Sequence, residues 1–398
     1  MAPLRFVFTV QGEGRGHLTQ AIAVYEILSA RGHQVTAVLV GSSSRREIPG
    51  FVRNRIKVPI HSFPSPNFVT DTQNKSIQLG KSVSHTLLRL GRYRKSMRLI
   101  RNIIRQEQPD VVINFFEPLT GLCSMLKKLP APIVSVAHQY IYLHPQFRFP
   151  EEAGATNKWW VRAFTRLTAC GSDALLALSF YPLSQQHYKH IVVCPPLLRK
   201  EVAGQECFDG NHILVYLVNA GYLQEVSNWH QQHPEVELHC FTDSPAVKGK
   251  WQHSDNLYFH SLDDQKFLRY MANAKALVTT AGFESVCEAM YMNKPVLMIP
   301  VAGHFEQWCN ARDGVKAGAG TYTDRFDLDV LLQYLPRHQN TQAGFNEWVN
   351  QAEDLLLQTV EGVGYGHQSI TPDKNNAMVF TINKVRSAGT NLSQKEAM

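Results

Sequence analysis

The stretch VTTAGFESVCEAMYMNKPVLMIPVAGHFEQWCNA, residues 278–311, carries two strand-to-helix turns in succession. The β-forming run Ala276–Thr279 ends at Thr280, Gly282 makes a turn, and a helix is expected from Glu284 or Ser285. The first turn of such a helix has unpaired amides and the positive end of the dipole. Ser285 can therefore offer its hydroxyl and its amide to a phosphate. Glu288 lies one turn on, on the same face, where a carboxylate can accept from both vicinal hydroxyls of a ribose. A second strand, Pro295–Ile299, leads through Pro300 into Gly303-His304-Phe305-Glu306-Gln307. Glu306 and Gln307 present an acceptor and an amide suited to sugar hydroxyls; the plainer reading is a capped loop. Met290, Met292 and Met298 read as core.

Outward from this box the same alternation continues. The second half has strand Ile213–Val218 with the loop Asn219-Ala220-Gly221, strands Glu237–Phe241 and Leu257–His260, a helix near Asp264–Ala272 and a last helix near Gly344–Thr359. The first half has strand Leu4–Val10, a helix on Leu18, Ala21, Ile22, Tyr25 and Leu28, and strands Gln34–Val40, Asp110–Phe115 and Ile133–Ala137. This predicts an α/β fold of two doubly wound parallel sheets. Paired prolines and mixed charge mark residues 194–212 as a linker. The expected domains are 1–197 and 198–362, with 363–398 a segment that packs back on the first and ends in flexible residues.

The first turn, QGEGRGHLTQA at residues 11–21, suggests a dinucleotide loop. Gly12 and Gly14 fit that fingerprint, but its third glycine position holds His17, and no acidic residue ends the second strand. Ser43-Ser44-Arg45-Arg46 keeps a 2′-phosphate reading open. Otherwise Gly14, Arg15 and Gly16 bring backbone close to a ligand, and His17 stands at the mouth of a helix. The dipole there disfavours the cationic ring, and a neutral imidazole is what a general base must be. The plainer reading is a turn that His17 caps.

Together, Gly282, Ser285, Glu288 and Ala289 form a G-x-x-S-x-x-E-A core, followed by Glu306-Gln307 and Asn310-Ala311. This resembles the nucleotide-sugar signature of inverting glycosyltransferases of the GT-B fold, two Rossmann-like domains about a cleft. It is similar to the box of the plant and animal UDP-glycosyltransferases, and to the transferase that adds N-acetylglucosamine to a lipid-linked muramyl peptide. The resemblance implies a UDP-sugar donor in the second domain, with diphosphate and ribose on the core and sugar on Glu306-Gln307. It also implies the base of the nucleotide against Ser261-Leu262, a phosphate loop at Asn219 and no required cofactor. With the leaving diphosphate stabilised by the helix N-terminus at Ser285, no metal is required, and no D-x-D metal clamp is read in the sequence. It makes His17 the base that activates an acceptor hydroxyl. Glu117 and His138, after the next strands, become acceptor-side candidates; their plainer readings are a helix cap and a core histidine. Thr280, where the retaining enzymes carry a second glutamate, favours inversion. Thr280 and Glu284 depart from the plant-type box, and the Asn219 loop is poor in glycine. A sugar-nucleotide epimerase of the same fold and a non-catalytic binding subunit remain alternatives.

The net charge of +7 fits an anionic partner. Between Asp71 and Glu107 there is no acidic residue, while Lys75, Lys81, Arg89, Arg92, Arg94, Lys95, Arg98, Arg101 and Arg105 interleave with leucines and isoleucines. This is either a solvated helix face or a patch for anionic lipid. With the aromatics Tyr140–Phe149 and Trp159-Trp160 it suggests a lipid-linked acceptor at a membrane surface, and not nucleic acid. No apolar run approaches the ~20 residues that span a bilayer, and the N-terminus lacks a secretory pattern. Seven cysteines without a CxxC pair suggest a reducing cytoplasm, with peripheral attachment at the inner face of the membrane.

Overall fold

The computed structural model describes residues 2–42, 48–66, 90–216, 222–242, 247 and 249–366. Two sheets form, one per half. The first comprises β1 (Arg5–Gln11), β2 (Gln34–Ser42), β3 (Ile60–Pro64), β4 (Val111–Phe115), β5 (Ile133–Ala137), β6 (Ala174–Leu178), β7 (His187–Tyr188) and β8 (Ile191–Cys194). Its order is β3-β2-β1-β4-β5-β6-β8-β7, parallel except at β7. The second comprises β9 (Ile213–Tyr216), β10 (Leu238–Thr242), β11 (Lys250–Ser254), β12 (Leu257–Ser261), β13 (Ala276–Thr279), β14 (Val296–Met298) and β15 (Gly320–Tyr322). Its order is β11-β12-β10-β9-β13-β14-β15, parallel except at β11. Strands β4, β5 and β6 are buried at every position, as central strands covered by helices on both faces must be.

Strand order reverses between β1 and β4 in the first sheet, and between β9 and β13 in the second. Ligand crevices in such sheets open at these switch points, beyond the carboxyl ends of the strands. Helix Arg15–Ala30 follows β1, and helix Phe283–Tyr291 follows β13. The two helices meet across the gap between the lobes.

Three expectations are corrected. The last helix is two, Gln342–Val349 and Ala352–Gly364. Asn350 and Gln351 keep near-helical angles while turning the chain, so the apolar spacing hides the break. Helix Ala352–Gly364 packs on β4, β5, β6 and β8, and Glu361 meets His33 Nε2 at 3.0 Å. The return to the first lobe thus begins before residue 363. The linker also holds a short helix, Lys200–Ala203. Finally, the Tyr140–Phe149 aromatics are no exposed surface: Tyr140 and Tyr142 are fully buried, and Phe147 and Phe149 pack on Tyr142. Residues 43–47, 67–89, 217–221 and 367–398 lie outside the described residues. With them go Asn219 and its loop, Arg45-Arg46, Lys75, Lys81, Arg89 and most of the final segment.

Candidate functional site

A cleft of about 2000 Å³ runs between the lobes. Gly14, Arg15, Gly16, His17 and His138 line it from the first lobe; Leu262, Gly282, Ser285, Glu288, Glu306 and Gln307 line it from the second. Residues far apart in the chain are thus brought to one cavity.

His17 opens helix Arg15–Ala30, and its ring stacks on Phe116 at 5.5 Å. Burial pulls its pKa down to about 4, against a hydrogen bond with Gln20 that raises it. The ring is therefore neutral at pH 7. Its Nδ1 lies 3.2 Å from Gln20 Oε1, and Gln20 Nε2 donates to Glu284 Oε1 at 2.6 Å. Glu284 comes from the other lobe, and burial pushes its carboxyl up to about 8. The approach is close: a Cβ on Gly16 would stand 3.3 Å from Glu284 Cγ.

The box helix begins at Gly282, whose extended backbone (φ −67°) carries no capping side chain. Its first amides therefore have no partner within the helix, and Gly282, Phe283, Glu284 and Ser285 line the cleft. Ser285 Oγ bonds inward, to Gly282 O and Thr279 Oγ1, each at 3.2 Å. That leaves its backbone amide as the group best placed for an anion. Glu288 is buried beside Arg199, which donates Nε and Nη2 to Glu288 Oε1 at 2.9 and 2.7 Å. Glu288 Oε2 is the oxygen outside that pair. Glu306 accepts from Gln139 Nε2 at 2.7 Å, and burial raises its carboxyl to about 7. Gln307 Oε1 accepts from Val301 N at 2.9 Å, which turns its amide nitrogen away from the loop backbone. His138 donates Nδ1–H to Leu178 O at 2.8 Å and stacks on Phe283 at 4.0 Å.

Glu117 does not open into the cleft, contrary to the acceptor-side expectation. It caps helix Pro118–Leu126, accepting from Leu119 N at 3.0 Å and Ser65 Oγ at 2.6 Å. Burial raises its carboxyl to about 8. Its Oε2 would lie 2.0 Å from a Cβ on Gly41. Gly41 is the penultimate residue of β2, so Glu117 packs against the strand end beside which a dinucleotide fold holds a ribose. Gly12 likewise serves packing: its amide donates to Gly41 O at 2.7 Å.

Sequence reasoning missed Gln20, Gln139 and Arg199. Gln20 had a signal, three residues after His17 on the same helix face. Arg199 had none, standing in a stretch that reads as linker. It also passed over one D-x-D triplet, Asp327-Leu328-Asp329. Asp327 Oδ1 there accepts from Asp329 N at 3.1 Å, at the start of a helix, and neither aspartate lines the cleft. Among the described residues, no group of three or more His, Cys, Asp or Glu side chains could hold a metal ion.

Two largely parallel α/β sheets facing each other across a cleft define a GT-B architecture. The chain belongs to glycosyl transferase family 1, whose pattern it matches over residues 4–338. It is 24% identical over 358 residues to the UDP-N-acetylglucosamine–N-acetylmuramyl-(pentapeptide) pyrophosphoryl-undecaprenol N-acetylglucosamine transferase of Fusobacterium nucleatum, covering 84% of this chain and 89% of that one. Its fold is similar to that of MurG from Acinetobacter baumannii (TM-score 0.51, 18% identity, 90% of this chain and 99% of that one). It is also similar to UGT2 of Phytolacca americana, solved with UDP-2-fluoroglucose and pterostilbene (TM-score 0.60, 9% identity, 92% and 99%). The family match and these relatives make the chain a glycosyltransferase of GT-B fold.

Proposed function

We propose that this chain transfers a sugar from a UDP-sugar to the hydroxyl of a lipid-linked acceptor, with inversion and without a metal. The observation that carries this reading is the pairing of a neutral imidazole, His17, with an uncapped helix N-terminus at Gly282, in one cleft and joined by Gln20 and Glu284. The donor's uracil lies against Ser261 and Leu262. Its diphosphate takes the amides of the first turn after Gly282, its ribose Glu288, and its sugar Glu306 and Gln307. His17 takes the acceptor proton as the oxygen attacks C1 from the face opposite the diphosphate. The bond from C1 to the phosphate oxygen breaks, UDP leaves, and the helix N-terminus stabilises its charge. His138 borders the acceptor side.

The acceptor is read from the first-lobe wall, where Tyr93, Met97, Leu122, Leu126, Trp160 and Phe164 line the cleft. At its rim Met125, Leu126, Trp159 and Trp160 are exposed by 57, 64, 59 and 49%. Helix Leu90–Glu107 buries Tyr93, Ile100, Ile103 and Ile104 and leaves Arg92, Arg94, Lys95, Arg98 and Arg105 in solvent. An apolar rim beside a basic helix suits an anionic membrane surface, at the cytoplasmic face. Among the described residues no helix is long and apolar enough to cross a membrane. The test is His17→Ala with UDP-sugar and a polyprenyl-phosphate-linked acceptor. Turnover falls about 10²–10⁴-fold while UDP binding persists, and NMR of the wild-type product shows the inverted anomer. Near-normal turnover in the variant overturns the role of His17; a retained anomer overturns inversion.

A further inference from the structure

We propose that Gln20 and Glu284 act as positioning residues that lock His17 in the tautomer a base requires. The inference rests on the reading of His17 as the base. A carboxylate only accepts, so Glu284 compels Gln20 to present its Nε2 donor, at 2.6 Å. Gln20 Oε1 is then the atom turned to His17, 3.2 Å from Nδ1. That oxygen can only accept, so Nδ1 carries the ring hydrogen and Nε2 keeps its lone pair. The same hydrogen bond favours the imidazolium that forms when the ring takes a proton, against burial.

The arrangement joins the lobes. His17 and Gln20 stand on one helix face of the first lobe, and Glu284 stands in the first turn of the box helix in the second. Gly16 eases their approach, since a Cβ there would come to 3.3 Å of Glu284 Cγ. The helix that faces the donor therefore also orients the base that faces the acceptor. Separation of the lobes releases Gln20, whose amide can then turn and offer Nε2 to Nδ1, leaving the hydrogen on the wrong nitrogen. This also explains why an acidic residue stands beside a diphosphate site: it points at the other lobe.

The lock needs Glu284 as a carboxylate. Facing it are Gln20 from the first helix, Glu288 on its own helix and Arg199 from the crossing segment; burial and Glu288 raise its pKa, Gln20 and Arg199 lower it. The result is about 8, so turnover rises with pH as Glu284 loses its proton.

The test uses the full chain with ¹⁵N-labelled histidine, the His17 signals assigned by their loss in His17→Ala. Above the Glu284 pKa the wild-type ring shows the Nδ1–H tautomer. Gln20→Leu shifts it to a mixture or to Nε2–H, lowers kcat about 10- to 100-fold, as a misoriented general base would, and leaves the donor KM within about twofold. Glu284→Ala does the same from the other lobe, serves if Gln20→Leu does not fold, and removes the rise of kcat with pH. Wild-type tautomer and kcat in both variants overturn the lock. If His17→Ala keeps turnover, the base reading falls, and the tautomer spectra still decide the lock by themselves.

Discussion

Two turns in this molecule share one backbone device and end differently. After β4 the chain enters helix Pro118–Leu126 through Phe116, at φ +58°. After β13 it enters helix Phe283–Tyr291 through Ala281, also at φ +58°. A left-handed residue with a side chain costs on the order of 1–3 kcal/mol and persists where its surroundings hold it. At the first turn the next residue is Glu117, whose carboxyl group caps the helix and closes against Ser65 and Gly41. At the second it is Gly282, which brings no side chain to cap the helix and lines the cleft. One residue separates a junction capped by its own side chain from an uncapped one.

The carboxylates near the two turns differ in the same way. Glu288 has Arg199 as a buried partner, while Glu117 accepts only neutral hydrogen bonds. Arg199→Met removes that cation and leaves Glu288 uncompensated. The expected loss is about 3–5 kcal/mol of unfolding free energy in urea, as for a broken buried pair. A loss well under 1 kcal/mol means that the pair does not distinguish the two turns.

Gly282→Asp makes the open turn resemble the closed one. The backbone is already extended, and a Cβ there meets nothing nearer than Ser285 Oγ at 3.6 Å. The cap adds only a few tenths of a kcal/mol to stability, but its charge occupies the place proposed for the phosphate. UDP affinity by calorimetry falls roughly 10- to 100-fold with the melting temperature unchanged or raised, about 1.4–2.7 kcal/mol of binding. Unchanged affinity places the phosphate elsewhere.

Glu117 is tested through pH. Its folded pKa of about 8 stands above the ordinary 4.5, raised by burial. Between those values the native state holds a proton that the unfolded chain releases, so stability falls as pH rises. Glu117→Gln removes that share of the slope. Urea midpoints measured across this range decline less steeply in the variant than in the wild type; equal slopes show that Glu117 stays ionised in the fold.

Much of this was legible in the residues. The strands at Ile133–Ala137 and Ala276–Thr279 and the helix at Asp264–Ala272 stand where the apolar spacing puts them. Gly282 announces the turn, and the spacing of Ser285 and Glu288 puts both on one helix face. Glu117 was ambiguous because a cap and a cleft carboxylate look alike before burial is known. Arg199 was illegible because its partner lies 89 positions away.

Periodicity, turn residues and the box motif are local, each set by a few neighbours along the chain. They suffice for two α/β lobes and for the family. The charge state of Glu117, the pairing of Glu288 and the orientation of His17 depend on which side chains exclude water and which meet across the cleft. Gln20 reaches Glu284 over 264 positions, and only the docking of the two sheets brings them to 2.6 Å.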